Sequence, residues 1–351
     1  MTDTLKKVFG YSTPFLLTAL FIYLSFKDVE LAESIDLISK MSILWFFVFY
    51  IFHYLAHIVR AFRWKIIVKS IKKDTSLLNM LGATMIGYGV NYAVPRLGEI
   101  YRPFFLGKWE GISRSALLGT IVVERIIDII VLGFSTLLSV YVFPGNLFEE
   151  IEWLKPALLF GGLVMGGVVI FLYLVVHFKE NFYNTILSFV GRFSKKIADK
   201  LAYIFHMLVD GFSTVKTLKN WTYTIGLSVI IMLLYGLTSY QAFLVLRMEE
   251  IIPVSLAMGW VVMTISAFGI VIPTVGGTGS YHIIVISILA VFGFSNEVGM
   301  AYALFTHTVA SISFIVSTIF FVFYINHRRA KIEGASKETF FSVFKIDSEE
   351  K

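Results

Sequence analysis

The chain has 351 residues, 57% hydrophobic, 16% aromatic and only 15% charged, with a mean hydropathy of +0.78; this excludes an ordinary soluble domain and points to a polytopic membrane protein. The net charge of +6 does not indicate nucleic acid, because the basic residues cluster in short loops between apolar runs, where they set orientation and attract anionic lipid headgroups. The absence of cysteine excludes disulfides, thiol nucleophiles, iron–sulfur clusters and lipid attachment to cysteine.

Lys6 and Lys7 precede the first apolar run, Tyr11 to Phe26, and Lys27-Asp-Val-Glu30 follows it without a small-residue cleavage site. An uncleaved first spanning helix is expected there. Runs of about 20 apolar residues, enough to span, occur near 11–26, 41–59, 116–141, 156–178, 221–245 and 298–325. Two further apolar regions are interrupted: 77–106 at Asn91 to Gly98, and 254–293 at Pro273-Thr-Val-Gly276-Gly277-Thr-Gly279.

Loop charges give the sidedness. Residues 60–73 carry Arg60, Arg63, Lys65, Lys69, Lys72 and Lys73 and no acid, which predicts a cytoplasmic loop. Segments 27–40 and 144–155 are acidic and predicted external; 179–220 is lysine-rich, and Arg328, Arg329 and Lys331 follow the last span, so both are predicted cytoplasmic. The first interrupted region then dips in from the cytoplasm and the second from outside. The expected fold is all-α: six spanning helices plus two oppositely oriented membrane-dipping hairpins, with both termini cytoplasmic in a bacterial inner membrane. The alternative is eight full spans.

The two hairpins resemble each other. Pro95-x2-Gly98 matches Pro273-x2-Gly276 in spacing, and Gly111-Ile-Ser113 matches Gly293-Phe-Ser295. The unit helix–hairpin–helix therefore reads as an inverted repeat, 41–141 and 221–325, within one membrane domain, 1–331. The segment 179–220 is amphipathic, as for a helix lying along the cytoplasmic surface. The polar tail 332–351 reads as mobile.

The candidate site residues follow from polarity in an apolar chain, since charges and broken backbone at membrane depth usually line a pathway or a binding site. Asn91, Arg96, Glu99 and Arg102 form the first set. If the second limb is helical through Arg96, its two arginines and Glu99 share a face and leave a net positive site suited to a phosphate. Gly276, Gly277 and Gly279 offer bare backbone N–H groups for the same anion, or merely tight packing. Glu124, Arg125 and Asp128 lie near mid-depth of 116–141; the carboxylates are candidate coupling, gating or proton-carrying groups, or partners of Arg96 or Arg102. Pro95 and Pro273 would flex the hairpins, with His282 and His307 close to the second break. His53 and His57 stand four apart, but no acidic third ligand lies nearby, so no metal is expected. Gly162 to Gly166 is a small-residue helix-packing motif. No catalytic signature or cofactor site is evident.

Together Asn91-x3-Pro95-x2-Gly98-Glu99-x2-Arg102, Gly111-x-Ser113 and Glu124-Arg125-x2-Asp128 resemble the flippase-like transmembrane family, best known as the membrane region of bacterial lysylphosphatidylglycerol synthases. Arg63-Trp64 and the Pro273–Gly279 run also fit, and the resemblance covers about residues 12–325. It implies a membrane-embedded lipid translocator or lipid-handling module. The lysyl-transferring soluble domain is not expected here, and His282 stands where the family often has glutamate. The ligand expected is a phospholipid or polyprenyl-phosphate lipid with an anionic phosphate headgroup, moved across the bilayer. The rival expectations are a lipid-linked transferase or phosphatase, and an accessory subunit of a lipid-modifying enzyme.

Overall fold

A computed structural model describes residues 3–192, 194, 195, 197–199, 201, 202 and 218–344, and every regular element among them is helical. In chain order these are α1 (Asp3–Phe26), α2 (Leu31–Ser39), α3 (Ile43–Val68), α4 (Leu77–Ala93), α5 (Gly98–Glu110), α6 (Arg114–Val142), α7 (Leu147–Glu150), α8 (Leu154–Gly191), α9 (Leu218–Val245), α10 (Leu256–Val271), α11 (Ser280–Val291) and α12 (Asn296–Glu333). Among the described residues, three helices are long and apolar enough to cross a bilayer: α3, α9 from Lys219, and α12. The predicted runs at 11–26, 116–141 and 156–178 also fall within single continuous helices, α1, α6 and α8. Helices α2 and α7 lie in the two acidic loops and were not foreseen. Much of the amphipathic segment 179–220 lies outside the described residues.

The interrupted regions are helical hairpins. Helices α4 and α5 have 17 and 13 residues, about 25 and 20 Å; α10 and α11 have 16 and 12, about 24 and 18 Å. All four fall short of a hydrocarbon core of about 30 Å. Ser76 and Ser255 cap α4 and α10, their hydroxyls accepting from the Asn79 and Met258 N–H groups. The antiparallel register of the first hairpin is fixed at both ends. Asn79 Nδ2 donates to Glu110 Oε1 at 2.7 Å, and the Gly98 N–H donates to Asn91 Oδ1 at 2.8 Å. A Cβ on Gly98 would overlap the Gly87 carbonyl oxygen, so this glycine is what lets the limbs meet backbone to backbone.

Packing follows an exchange. Helices α3 and α9 lie against each other, the hairpin limb α4 packs on α12, and the other hairpin limb α10 packs on α6. The bundle differs from a water-soluble protein in its apolar exterior and in the charged and hydroxyl groups buried beside its apolar core. Phe134, Leu137 and Tyr141 of α6, and Ile312, Ile315, Ile319 and Phe323 of α12, are exposed, whereas Glu124, Ser139 and Thr264 are buried, with Ser139 and Thr264 hydrogen-bonded at 2.6 Å. An apolar exterior around a polar interior is the arrangement that lipid selects.

Two expectations are corrected. The tail was read as mobile from residue 332, yet residues up to 344 are seated. Asn326 of α12 donates to the Glu338 carbonyl at 2.5 Å and accepts from its N–H at 3.1 Å, Val343 is fully buried, and Phe340 and Phe344 pack on Tyr101, Phe104 and Phe105 of α5. The paired aromatics repay the ordering of this strap. In α8, the glycines Gly162 and Gly166 have no atom within 4 Å of a built Cβ, so the expected packing motif faces open space among the described residues.

Candidate functional site

The polar interior is an ion cluster assembled from α3, α5, α6 and α9. Along α3, His57, Arg60, Trp64, Ile67 and Val68 recur at helical spacing and are buried together with Ala61 and Arg63. Helix α6 supplies Glu124 and Asp128, one turn apart. Glu124 is fully buried. Its Oε1 lies 3.0 Å from Arg60 and 3.1 Å from Arg63, and its Oε2 lies 3.0 Å from Arg102 of α5. Asp128 pairs with Arg60, and its Oδ1 lies 2.6 Å from Arg63. Arg63 also donates to Ser228 Oγ of α9 at 2.7 Å.

Aromatic rings fix the guanidinium planes. Arg102 lies 3.8 Å over the Trp64 ring, a cation–π stack, and the Trp64 indole N–H donates to Thr120 of α6 at 3.0 Å. Arg60 lies 5.8 Å from the centre of the Tyr88 ring. A second, half-exposed pair borders the cluster: Arg125 Nε is 3.1 Å from Glu99 Oε1, and Arg125 Nη1 is 3.7 Å from Asp128.

Four cations (Arg60, Arg63, Arg102, Arg125) therefore meet three carboxylates (Glu99, Glu124, Asp128), leaving one excess positive charge. The Nε atoms of Arg60, Arg63 and Arg102 are buried without a hydrogen-bond partner. A crevice of about 10 Å³, lined by Gly87, Asn91, Gly98, Glu99, Arg102 and Arg125 among others, reaches the cluster. That is room for about one water. As it stands the site is closed, and a larger anion enters only if α4–α5 moves against α6.

The sequence reading brought Glu99, Arg102, Glu124, Arg125 and Asp128 into one region, and the structure does the same. It separates the others. Arg96 precedes α5 and has a left-handed backbone, φ 64°; it is exposed and its Nη2 lies 3.5 Å from the Val271 carbonyl of the other hairpin. The expected shared face of Arg96, Glu99 and Arg102 does not form, because the helix starts only at Gly98. Glu99 pairs with Arg125 instead. Asn91 is occupied in closing the hairpin turn.

The glycine run is packed rather than open. The Gly279 N–H donates to His282 Nδ1 at 3.3 Å, the Val275 N–H to Thr18 Oγ1 of α1 at 2.8 Å, and the Thr278 N–H to the Val275 carbonyl at 2.9 Å. A Cβ on Gly279 would strike α1 at Phe21 and Ile22, and one on Gly276 would strike Tyr92; Gly277 is buried. The run is thus the joint between the hairpins. His307 Nε2 is 2.9 Å from the Gly276 carbonyl, and the rings of His282 and His307 lie 4.9 Å apart. Pro95 and the exposed Pro273 flank this joint. His53 and His57 stack among Phe49, Tyr88 and Phe314. No group of three metal-ligating side chains occurs among the described residues.

Arg60 and Arg63 were the residues missed. Counting charge by loops assigned them to a cytoplasmic segment, although α3 continues to Val68. Their spacing with His57, Trp64 and Ile67 was the available signal.

Residues 12–320 match the family described as the lysylphosphatidylglycerol synthase TM region. The UPF0104 membrane protein MJ1595 of Methanocaldococcus jannaschii is 22% identical over 316 residues, covering 87% of this chain and 90% of that protein. No solved structure matches the chain. With a match that takes in nearly the whole chain and a bundle whose charges lie inside, the protein is a multi-pass membrane protein belonging to the lysylphosphatidylglycerol synthase TM region family.

Proposed function

We propose that the protein is a lipid translocase that takes the anionic phosphate headgroup of a phospholipid or polyprenyl-phosphate lipid between its hairpins and carries it across the bilayer. The observation that carries this reading is the surplus charge: three buried arginines face one buried carboxylate, Glu124, and one partly buried one, Asp128, with the Nε donor of Arg102 left over beside the crevice. A buried excess charge is costly, and a phosphate is the anion that arginine donors fit best. Arg102 is the first contact, because it lines the crevice; Arg60 and Arg63 stand behind it. Glu124 and Asp128 hold the arginines while no lipid is bound; proton uptake by either would free an arginine for the phosphate, and proton loss would restore the ion pair and drive release, coupling the cycle to a gradient.

In the same reading α4–α5 and α10–α11 are re-entrant hairpins that enter from opposite sides, consistent with limbs too short to span. The exchange packing of α4 on α12 and α10 on α6 supports an inverted repeat. The joint of Tyr92, Gly276, His282 and His307, hinged near Pro95 and Pro273, is the gate. Loop charges orient both termini toward the cytoplasm.

The test is headgroup translocation by purified protein in liposomes. Arg102→Lys and Glu124→Gln, checked for monodispersity, are expected to slow it by about tenfold or more, because each weakens a charge-assisted contact. Unchanged transport in both variants would remove the mechanism. Chemical conversion of the labelled lipid, rather than movement, would select a transferase or phosphatase; absence of either, with a co-purifying lipid-modifying enzyme, would select an accessory subunit.

A further inference from the structure

A second cavity, of about 690 Å³, lies at the opposite end of the α4–α5 hairpin from its tip. It is framed by the end of α3, the bases of α4 and α5, and the last turns of α12. Asn79 lines this basin and Gly87 lines the crevice; eight residues of α4 separate them, about 12 Å along the helix axis. The basin is the size of a small-molecule site, and its wall is polar.

Its charges are unevenly matched. Lys72 Nζ is held by Glu110, at 3.1 Å from Oε2 and 2.6 Å from the carbonyl. Glu110 also accepts from the Ser76 N–H at 2.9 Å and from Asn79 at 2.7 Å, so three of its carboxylate's roughly four lone-pair sites are taken. Arg329 is held by Glu333, one turn on, at 3.1 Å. That leaves Lys65 and Arg328, neither in an ion pair among the described residues, facing only Asp74. Thr75, on the same wall, is 3% exposed, and its hydroxyl has no partner. Two free cations and a spare hydroxyl donor around one space fit an oxyanion.

The wall also says what the rest of the ligand is not. Trp109 could have offered a stacking face, but its ring is buried against Phe105, with centroids 5.2 Å apart, and its indole N–H donates to Asn326 at 3.3 Å. A nucleobase has no platform here. Asp74 can instead accept from a hydroxyl or an amine.

We propose that this basin is a binding site for a phosphate group carried on a small polyol or amino-alcohol, gripped by Lys65 and Arg328 with Thr75 as a further donor. The ligand is either the headgroup of a membrane phospholipid or a soluble phosphomonoester. The site stands on its own geometry and does not depend on translocation.

Full-length protein is used throughout. Thermal stabilisation by inorganic phosphate and by glycerol 3-phosphate is measured in detergent, and retention of phosphatidylglycerol against phosphatidylcholine is measured by native mass spectrometry from nanodiscs. The variants are Lys65→Gln/Arg328→Gln and, as a control outside the basin, Lys73→Gln. The double variant is expected to bind at least about tenfold more weakly, with ligand-free melting unchanged; the control behaves as the parent. Loss of the glycerol 3-phosphate shift identifies a soluble phosphomonoester, whereas loss confined to phosphatidylglycerol retention identifies a headgroup. If the double variant misfolds, each single variant carries the same expectation at reduced size. Equal binding by parent and folded variants, or binding of none of the probes, overturns the proposal.

Discussion

Within the Asn91–Arg102 motif, some residues close the hairpin and others reach the ion network. Asn91 and Gly98 make the hairpin turn, and only Glu99 and Arg102 reach the ion network. Gly98 and Gly111 separate two reasons for glycine. At Gly98 a methyl would collide with the Gly87 backbone, which cannot yield. At Gly111 the space is open but φ is +62°. Gly98→Ala is therefore expected to cost about 3 kcal/mol or more through overpacking, and Gly111→Ala about 1 kcal/mol through the left-handed backbone alone. Thermal melting of the two variants in one detergent orders them; equal melting would contradict the close approach. The sequence could mark Gly98 as special, but not Arg96 as a bystander. Extending the helix back to Arg96 put that residue on the wrong face, since its left-handed backbone breaks the register that the spacing argument needs.

At the scale of elements, the strap after α12 ties three parts of the chain together. Asn326 holds Glu338 from both backbone sides and receives the Trp109 indole N–H, so α12, α5 and the strap share one amide. Asn326→Leu leaves those groups buried and unpaired, at about 1–3 kcal/mol for each. The expected result is faster proteolysis within 334–344 with the helical core intact, read by limited digestion and mass spectrometry. Digestion at the parental rate would show that the aromatic contacts suffice. This docking was not legible beforehand. Phe340 and Phe344 look scattered in a polar tail, and they meet Tyr101, Phe104 and Phe105 only because a single 3-10 turn, Ser342–Phe344, brings them to one side.

At the scale of the molecule, helix order and the two broken regions could be read from apolar runs, because a bilayer imposes length and polarity on each segment. The inward placement of Glu124 and, partly, of Asp128 was legible for the same reason. Arg102 was among the partners read from the sequence, but Arg60 and Arg63 were not, because they sit near the end of α3, where hydropathy and loop-charge counting cannot tell an inward face from a loop.

The ion network also imposes a sequence in time. In a chain made and inserted from its N-terminus, Arg63 enters 61 residues before Glu124, and Arg60 enters 68 residues before Asp128. An arginine without a counter-ion carries an insertion penalty of about 2.5–3.5 kcal/mol at a helix centre and less toward a helix end, where Arg60 and Arg63 lie. Newly made α3, although apolar enough to cross, thus carries two unpaired arginines in its last turns until α6 is delivered. Nascent chains ending before residue 124 are expected to leave α3 partly uninserted, and chains ending after Val142 to restore it, as mapped by engineered glycosylation sites in microsomes. Arg60→Leu/Arg63→Leu should abolish the difference; equal insertion at both lengths would refute it. On that order of events, the C-terminal turns of α3 are expected to settle only once its acids arrive.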